Sequence, residues 1–381
     1  MNRLQYILLI SAAVLATGCS KHIPQPEQSE SSSTHPYIFF DQEVVESVET
    51  KTTMVNGDKL PSDDGIAFGV MGYVNGNVIF NNSTYHQNNI AKVERDGEGY
   101  DKPFTYQGLV QWTDASSTHN FYAFYPYSLE YLVQIGQNNR PYIRYAQASD
   151  TDNMKDILTA AVSVQKQPVV TLTFQHRLWA LDLMAQNNRQ KKDSVYNTST
   201  GTYTAYDPII KIKTVKIDIA GIPAYGNIYM DGTTDVPAEQ ANNMSLSKTI
   251  TVEKTLNPGD NTSINGQDSF LFLPHGTFRY RLTIEFENVN LGQTYTTHYP
   301  GFYENDLNGD PIEGEWAWAT ASGPDRTSDG KGDGFLAARR YTLDITKGDY
   351  EVTFVWKETE WGEWDEKNQE WDYIEVPHSF Y

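Results

Sequence analysis

The sequence has 381 residues, a length that predicts two domains. Aromatic residues make up 13% of the chain, too large a fraction for an intrinsically disordered protein. The 49 acidic residues outnumber the 29 basic ones and give a net charge of -20, which disfavours binding to nucleic acid phosphates and to anionic lipid headgroups.

The first residues have the pattern of a secretory signal peptide. Arg3 supplies a positive charge, and the apolar run over 6–16 is too short to span a bilayer as a helix. The sequence LATGCS at 15–20 resembles the lipobox of bacterial lipoproteins, in which a small residue precedes the cysteine whose thiol receives diacylglycerol. Since Cys19 is the only cysteine, we predict a signal peptide over 1–18 and lipidation of Cys19, in preference to an ordinary cleaved signal beside a chance cysteine.

A polar segment follows the candidate lipidation site. Residues 19–36 are rich in Ser, Pro, Gln and Glu, a composition typical of flexible linkers. They predict a tether that holds a folded body above a membrane. The lone cysteine also excludes an internal disulfide and a cysteine-based zinc site, so the body must depend on burial and hydrogen bonding.

Strand patterns dominate from Tyr37 onward. Apolar and polar residues alternate over 278–287, which predicts a strand with one face in a core and the other in water. Residues 66–74 and 121–127 are apolar on both faces, as in strands buried inside a sandwich. Only 152–160 has a pattern compatible with a short helix. The predicted fold class is therefore all-β.

A polar stretch rich in Asn, Lys, Ser and Thr runs from Asn187 to Tyr206 between two strand patterns. Such a stretch is the best candidate for a junction between domains. We predict an N-terminal β-sandwich domain over 37–190 and a C-terminal β-sandwich domain over 191–381. Short strands without a fixed-period repeat favour sandwiches over a propeller.

The sequence contains none of the common enzyme motifs. The eight histidines are scattered without metal-site spacing, and the chain has no nucleophile elbow, P-loop or G-x-G-x-x-G segment. We therefore predict no catalytic residue, no cofactor and no metal site, and we interpret His176 as a structural histidine. Carboxylate pairs for glycoside hydrolysis depend on the fold, so a surface hydrolase stays open as a third hypothesis.

One acidic segment resembles the start of a calcium-binding loop. The sequence DLNGD places Asp306, Asn308 and Asp310 as alternating oxygen ligands. Pro311 stands where that loop needs a glycine, and Ala317 stands where it needs a bidentate glutamate. We predict a solvated turn at this position, and a surface loop in the Gly-rich stretch that follows.

Tryptophans in the C-terminal region provide the main alternative function. Indole faces stack on sugar C–H surfaces. A glycan-binding platform could therefore form from five tryptophans: Trp361, Trp364, Trp371, Trp316 and Trp318. We favour the competing interpretation, in which these rings pack across the strands of a hairpin that turns at Asp365 to Glu370.

Several segments, in order, resemble the fimbrillin family, which comprises lipoprotein precursors of Gram-negative type V pilins and related surface proteins. The segments that carry the resemblance are Cys19 in its lipobox, Tyr37 to Val48, ETKT at 49–52, DGIAFGV at 64–70, NFYAFYP at 120–126, DILTA at 156–160 and VTLTFQHRL at 170–178. Beyond about residue 185 the sequence resembles the family only in its β character.

The resemblance implies two transthyretin-like β-sandwich domains and lipid-linked export to the outer membrane. It also implies that the first strand, Tyr37 to Val48 here, is removed by cleavage after a basic residue and replaced by a strand from another subunit. Lys51 is the candidate cleavage residue, although tip and anchor members of the family need not be cut. The tail from Trp356 to Tyr381 is a poor donor strand, because Pro377 removes a ladder donor.

These observations predict a fimbrillin-like pilus subunit or a fimbrial accessory protein at the tip or anchor, without enzymatic activity. Its predicted location is the surface of the outer membrane and the fimbrium. The predicted partners are other pilin subunits through strand exchange and the outer membrane through lipid on Cys19. The alternative is a surface lipoprotein that binds host or bacterial glycans through exposed tryptophans.

Overall fold

The structure is a computed structural model that describes residues 36–44, 60–61, 65–80, 89–99, 102–128, 132–136, 140–150, 153–236, 244–266, 269–305, 311–323, 334–360 and 374–376. Within these residues the regular elements are β-strands, which confirms the predicted all-β class. No helix in the described part of the chain is long and apolar enough to cross a membrane.

The strands up to residue 206 are, in chain order, β1 (Phe40–Val44), β2 (Ala67–Val74), β3 (Asn77–Val78), β4 (Ala91–Arg95), β5 (Phe104–Thr105), β6 (His119–Tyr125), β7 (Leu132–Ile135), β8 (Pro141–Ala146), β9 (Leu158–Val164), β10 (Val170–His176), β11 (Trp179–Asn187), β12 (Asp193–Asn197) and β13 (Thr202–Tyr206). The later strands are β14 (Ile210–Ile222), β15 (Tyr225–Tyr229), β16 (Thr234–Asp235), β17 (Met244–Leu256), β18 (Asn261–Ser263), β19 (Phe270–Phe272), β20 (Phe278–Asn288), β21 (Gln293–Tyr299), β22 (Tyr303–Asn305), β23 (Pro311–Trp316), β24 (Ala319–Ala321), β25 (Arg339–Lys347), β26 (Val352–Glu360) and β27 (Ile374–Val376).

Eight strands form the N-terminal sheet. Their order is β1-β10-β9-β6-β2-β4-β5, and β3 pairs with β2. The pairings within this sheet are antiparallel except that of β1 with β10, which is parallel and runs from Phe40↔Val170 to Val44↔Phe174. β1 therefore forms one edge of the sheet, beside a strand that comes much later in the sequence.

The central strands β2 and β6 contribute to two hydrophobic cores. Phe68 and Phe121 face the first core, which lies under β1, whereas Met71 and Phe124 face the second. Every residue of β2 is buried, and β6 is buried at most positions. The apolar runs over 66–74 and 121–127 predicted this burial on both faces, and the structure confirms it.

Two further sheets form a sandwich around the second core. One has the order β18-β11-β25-β26-β27, with β19 on β11, and the other has the order β17-β14-β20-β21, with β24 on β20. Between them Trp179 stacks on Phe278 with ring centroids 5.7 Å apart, and Trp356 Nε1 donates a hydrogen bond to the Tyr280 hydroxyl at 2.8 Å. Alternate residues of β20 are buried, which confirms the alternation over 278–287.

A four-stranded sheet of order β16-β15-β8-β7 joins the two halves of the chain. β8 belongs to the first half of the sequence and β15 to the second, and they pair over five residues. Ile143 and Ile228 stand opposite each other in this ladder and are fully buried. Arg140 Nε donates to Asp231 Oδ2 at 2.5 Å on the exposed side. The two halves are therefore connected by a continuous backbone ladder.

The predicted junction from Asn187 to Tyr206 contains the β12–β13 hairpin. β11 precedes that hairpin in sequence, yet it pairs in parallel with β25 from Ala180↔Arg340 to Asn187↔Lys347. The boundary between residues 190 and 191 stays a prediction, and the pairing of β11 favours a position near residue 178. The transthyretin-like topology stays an expectation of the family resemblance.

The sequence allowed a short helix over 152–160, but residues 158–160 begin strand β9 instead. Leu158 and Ala160 lie in β9, opposite Tyr125 and Ala123 of β6. Leu158 is fully buried in the first core, so a strand position satisfies both its backbone and its side chain. Tertiary pairing overrides the weak helical pattern here.

Candidate functional site at the edge strand β1

β1 and the residues just before it occupy the first core through alternate side chains. Ile38 and Phe40 are buried, whereas Tyr37 is exposed. The Phe40 ring lies edge-on to Phe121, with centroids 5.3 Å apart, and packs on Tyr106 at 5.7 Å. This alternation is the signature of a strand with one face in a core.

Two separate segments hold the backbone of this strand. The Ile38 N–H donates to the Val110 carbonyl at 2.9 Å, and the Ile38 carbonyl accepts a hydrogen bond from the Tyr106 hydroxyl at 2.9 Å. Further along, the Val170 N–H donates to the Phe39 carbonyl at 2.8 Å, and the parallel ladder with β10 continues from there. The strand is thus seated between residues near 110 and β10.

Gln42 connects β1 to the chain that follows it. Its side chain is buried, and its Oε1 accepts the Leu60 N–H at 2.8 Å. Leu60 is itself fully buried against the first core. The sequence analysis did not identify this contact, although Gln42 follows Ile38 and Phe40 at a spacing of two residues and so shares their face of the strand.

The candidate cleavage residue Lys51 lies in the segment 45–59, outside the described residues. This segment is the covalent connection between Val44, at the end of β1, and Leu60. A cut after Lys51 would leave β1 attached to the body by noncovalent contacts alone. Cys19, the candidate lipidation residue, also lies outside the described residues.

Loss of β1 would uncover a groove in the N-terminal sheet. The rings of Phe80, Tyr106 and Phe121 would lose the Phe40 ring that packs on them. β10 would lose its parallel ladder, and its buried residues Val170 and Leu172 lie directly beside that edge. An apolar groove with an unpaired strand edge is a receptor for another strand.

The buried histidine that could suggest catalysis is inaccessible to a substrate. His176 Nδ1 lies 2.8 Å from Asp156 Oδ2, and the two side chains are 1% and 0% exposed. A group sealed in this way supports the fold and cannot touch a substrate. Among the described residues, no cluster of three or more His, Cys, Asp or Glu side chains could hold a metal ion. Asp306, Asn308 and Asp310 lie outside the described residues.

Trp316 and Trp318, the two candidate platform tryptophans that the structure describes, contact neighbouring side chains. Trp316 stacks on His298 at 3.8 Å between ring centroids and on Tyr303 at 4.5 Å. The guanidinium of Arg281 lies 4.5 Å from the centre of the Trp318 ring. The contacts of Trp316 are packing across neighbouring strands, whereas the hairpin predicted to turn at Asp365 to Glu370 lies outside the described residues and stays a prediction. Trp361, Trp364 and Trp371 lie outside the described residues.

Comparisons with known proteins identify the family. The family described as fimbrillin-like matches residues 50–355. The chain belongs to the fimbrillin-like family. A search of curated proteins found no match. A fimbrial protein from Bacteroides vulgatus has a similar fold, with a TM-score of 0.53 and 14% sequence identity over 86% of this chain and 100% of that chain. The fimbrial anchor protein Mfa2 from Porphyromonas gingivalis matches with a TM-score of 0.34 and 9% identity over 85% of this chain and 97% of that chain.

Membership of the fimbrillin-like family makes this chain a fimbrial structural protein. It implies a location at the cell surface in association with a fimbrium, and other fimbrial subunits as partners. The family supports a role in adhesion structures and not in catalysis.

Proposed function

We propose that this fimbrillin-like chain is a lipid-anchored fimbrial subunit that assembles when β1 is removed and a strand from another subunit takes its place. Export by the signal peptide 1–18 delivers the chain to the outer membrane, where lipid on Cys19 holds it. Cleavage after Lys51 then frees the strand. A subunit that is not cleaved would serve at the tip or the anchor of the fimbrium.

The observation that carries this proposal is the position of β1. It is an edge strand, β10 is its one partner strand among the described residues, and its link to the body runs through the segment that contains Lys51. An internal strand could not leave without breaking two ladders. Departure of β1 breaks one strand ladder, that with β10, together with the few hydrogen bonds that join 36–38 to the residues near 110.

Strand exchange at this edge is driven by burial. Each large apolar side chain that enters the core contributes about 1.5 to 3 kcal/mol. The incoming strand would need apolar residues at alternate positions to replace Ile38 and Phe40. It would also restore the backbone hydrogen bonds along β10, so no external energy source is required.

The anchoring step has a direct test. A Cys19→Ser variant is expected to lose palmitate labelling and to be released from the membrane or left unprocessed. A Ser20→Ala variant, which alters the neighbouring polar residue, is the control and should label normally. Unchanged palmitate labelling of Cys19→Ser would contradict lipidation at this residue.

Variants of two lysines in the same segment test the cleavage step. In a Lys51→Gln variant, cells are expected to display uncut monomers in place of SDS-resistant polymers, because the protease loses its basic residue. Lys59→Gln is the matched control, since Lys59 lies between the same two described segments. Polymers from Lys51→Gln in normal amounts would show that assembly does not depend on cleavage there.

Glycan binding through tryptophans is the second function raised by the sequence. Trp316 already stacks on His298 and Tyr303, and the Arg281 guanidinium lies against Trp318, which disfavours stacking on a sugar at these two positions. Host or bacterial glycans are therefore not part of the proposed function.

A further inference from the structure

The end of the C-terminal sandwich that lies away from the four-stranded sheet β16-β15-β8-β7 carries a two-stranded arm. β12 and β13 form this arm, residues 193–206, and in the described part of the chain they pair with each other and with no other strand. β11 and β25 both run toward this end, where Asn187 pairs with Lys347. We refer to the arm and the turns around it, 187–207, 288–295 and 347–351, as the distal pole.

Hydrogen bonds fix the arm on the sandwich. Asp193 Oδ1 accepts Arg189 Nη2 at 2.7 Å and Asn288 Nδ2 at 2.9 Å. Asp349 Oδ1 accepts the Lys191 N–H at 2.8 Å just before the arm begins. These hydrogen bonds join the first residues of the arm to turns of both sheets of the sandwich. The start of the arm is therefore held in place, and the rest of the hairpin extends beyond these contacts.

The distal pole concentrates exposed apolar side chains. Of the twelve large apolar residues that are exposed in the described chain, seven lie here: Tyr196, Tyr203, Tyr206, Val289, Leu291, Tyr295 and Tyr350. Tyr203 and Tyr350 are 73% and 79% exposed. Tyr196 and Tyr203 stand opposite each other on the arm, with ring centroids 5.0 Å apart. A concentration of exposed apolar side chains at one end of a molecule indicates an interaction surface.

The arm also lacks the protection that natural edge strands carry. Residues 194–206 contain no charged residue and no proline, and the five residues of β13 are all exposed. An uncharged, unprotected edge offers its backbone groups to another strand. A hairpin of two strands is only marginally stable alone, so an added strand would stabilise it.

The charge distribution of the chain favours a second copy as the partner of the distal pole. The distal pole contains four basic and four acidic residues, so the net charge of -20 belongs to the rest of the chain. Two copies that met side by side would bring their acidic surfaces together, whereas two copies that met at this neutral pole would keep those surfaces apart.

We propose that the distal pole binds the distal pole of a second copy of this chain, with the β13 edges pairing antiparallel about Thr204. The contact is symmetric, because one edge meets the same edge of the other copy. It does not depend on the strand exchange proposed above and would survive its failure. It differs from strand exchange in being reversible and sensitive to SDS.

Sedimentation of the uncut chain from residue 19 onward, carrying Cys19→Ser, tests the contact. We expect a monomer–dimer equilibrium that strengthens as salt screens the acidic bodies. A Tyr196→Ser, Tyr203→Ser double variant is expected to weaken the dimer at least about tenfold, since exposed aromatic anchors dominate such interfaces. Phe302→Ser is the control, because Phe302 is similarly exposed outside the pole, and it should change the equilibrium little.

A single introduced thiol tests the geometry. In the same Cys19→Ser background, Thr204→Cys is the only cysteine, and oxidation is expected to give a disulfide-linked dimer. Thr320→Cys, at the exposed residue of β24 at the other end of the sandwich, should stay monomeric. The proposal would be overturned if the chain remained monomeric at high micromolar concentration and the cysteines introduced at 204 and 320 crosslinked equally. The proposal would also be overturned if the chain stayed monomeric and bound sugars on a glycan array through Tyr196 and Tyr203. The arm would then be a carbohydrate-binding site.

Discussion

At the scale of single residues, Gly69 shows how tightly the two cores meet at β2. A Cβ atom at this position would lie 2.2 Å from Cε1 of the Phe124 ring. Phe124 belongs to the second core and is almost fully buried, so its ring has little room to move. Glycine is needed here for close approach, and no unusual backbone angle is involved.

Gly69→Ala is therefore expected to lower the free energy of unfolding by about 1 to 3 kcal/mol, as other overpacked core sites do. Gly276→Ala is the matched control, because a Cβ atom there would meet nothing within 4 Å. Chemical denaturation of the two variants gives the comparison. Equal stabilities of the two variants would mean that the Phe124 ring moves away from the added methyl group without a loss of stability.

His275 gives the fold a pH dependence. Burial of its imidazole among Trp179, Phe278 and Phe335 lowers the pKa of His275 from 6.5 to about 4. The folded state therefore prefers the neutral ring, and the unfolded state binds a proton first as the pH falls. This contribution to stability is complete above about pH 6.5 and is lost as the pH falls toward 4.

Between pH 7 and pH 5 the wild-type chain is expected to lose about 1 to 2 kcal/mol more stability than a His275→Gln variant, which cannot titrate. Urea unfolding at both pH values measures the difference. The same pH dependence in both chains would assign the acid sensitivity to other groups.

At the scale of elements, Arg177 links the N-terminal sheet to the turn between β15 and β16. Its guanidinium donates to Thr159 Oγ1 at 2.5 Å and to the Gly232 carbonyl at 3.2 Å. Burial lowers the pKa of Arg177 to about 10. It follows β10 and precedes β11, so it sits where the two halves of the chain join.

Arg177→Met is expected to reduce stability by about 2 kcal/mol, because the acceptors that it serves are left unpaired in a buried place. Arg144→Met is the control, since Arg144 is exposed and stacks on Tyr225 at 4.6 Å, a contact that contributes less than about 1 kcal/mol. Thermal unfolding compares the two. A larger loss for Arg144→Met would place the main link between the halves elsewhere.

Individual strands could be predicted from the sequence, but their partners could not. The alternation over 278–287 and the apolar runs over 66–74 and 121–127 specify β20, β2 and β6, because burial imposes a local period. The parallel pairing of β1 with β10 and the ladder between β8 and β15 join distant segments, and no local pattern records such contacts. The candidate helix over 152–160 failed for the same reason, since β6 determines the conformation of β9.

The candidate site could be predicted only in part. The apolar residues of Tyr37 to Val48 indicated a first strand, and Ile38 and Phe40 confirm its buried face. That β1 lies at an edge, and that Gln42 holds Leu60, depends on the tertiary fold. The β12–β13 arm lies within the stretch read as a domain junction, because its Tyr, Thr and Asn composition is typical of both linkers and exposed strands.

At the scale of the whole molecule, the two ends of the described chain carry different kinds of edge. β1 closes the N-terminal sheet and buries apolar side chains, so its replacement would give a contact that resists SDS. The distal pole is exposed and neutral in a chain of net charge -20, so its contact would be reversible. The ladder between β8 and β15 would transmit force from one end to the other.

The central claim, that β1 is exchanged on assembly, is tested most directly by the N-terminus of the protein recovered from cell surfaces. Mass spectrometry is expected to find polymeric species that begin at Thr52 and run as SDS-resistant ladders. A lipidated N-terminus at Cys19 in every species, with monomers alone, would contradict the claim and leave β1 as a permanent strand.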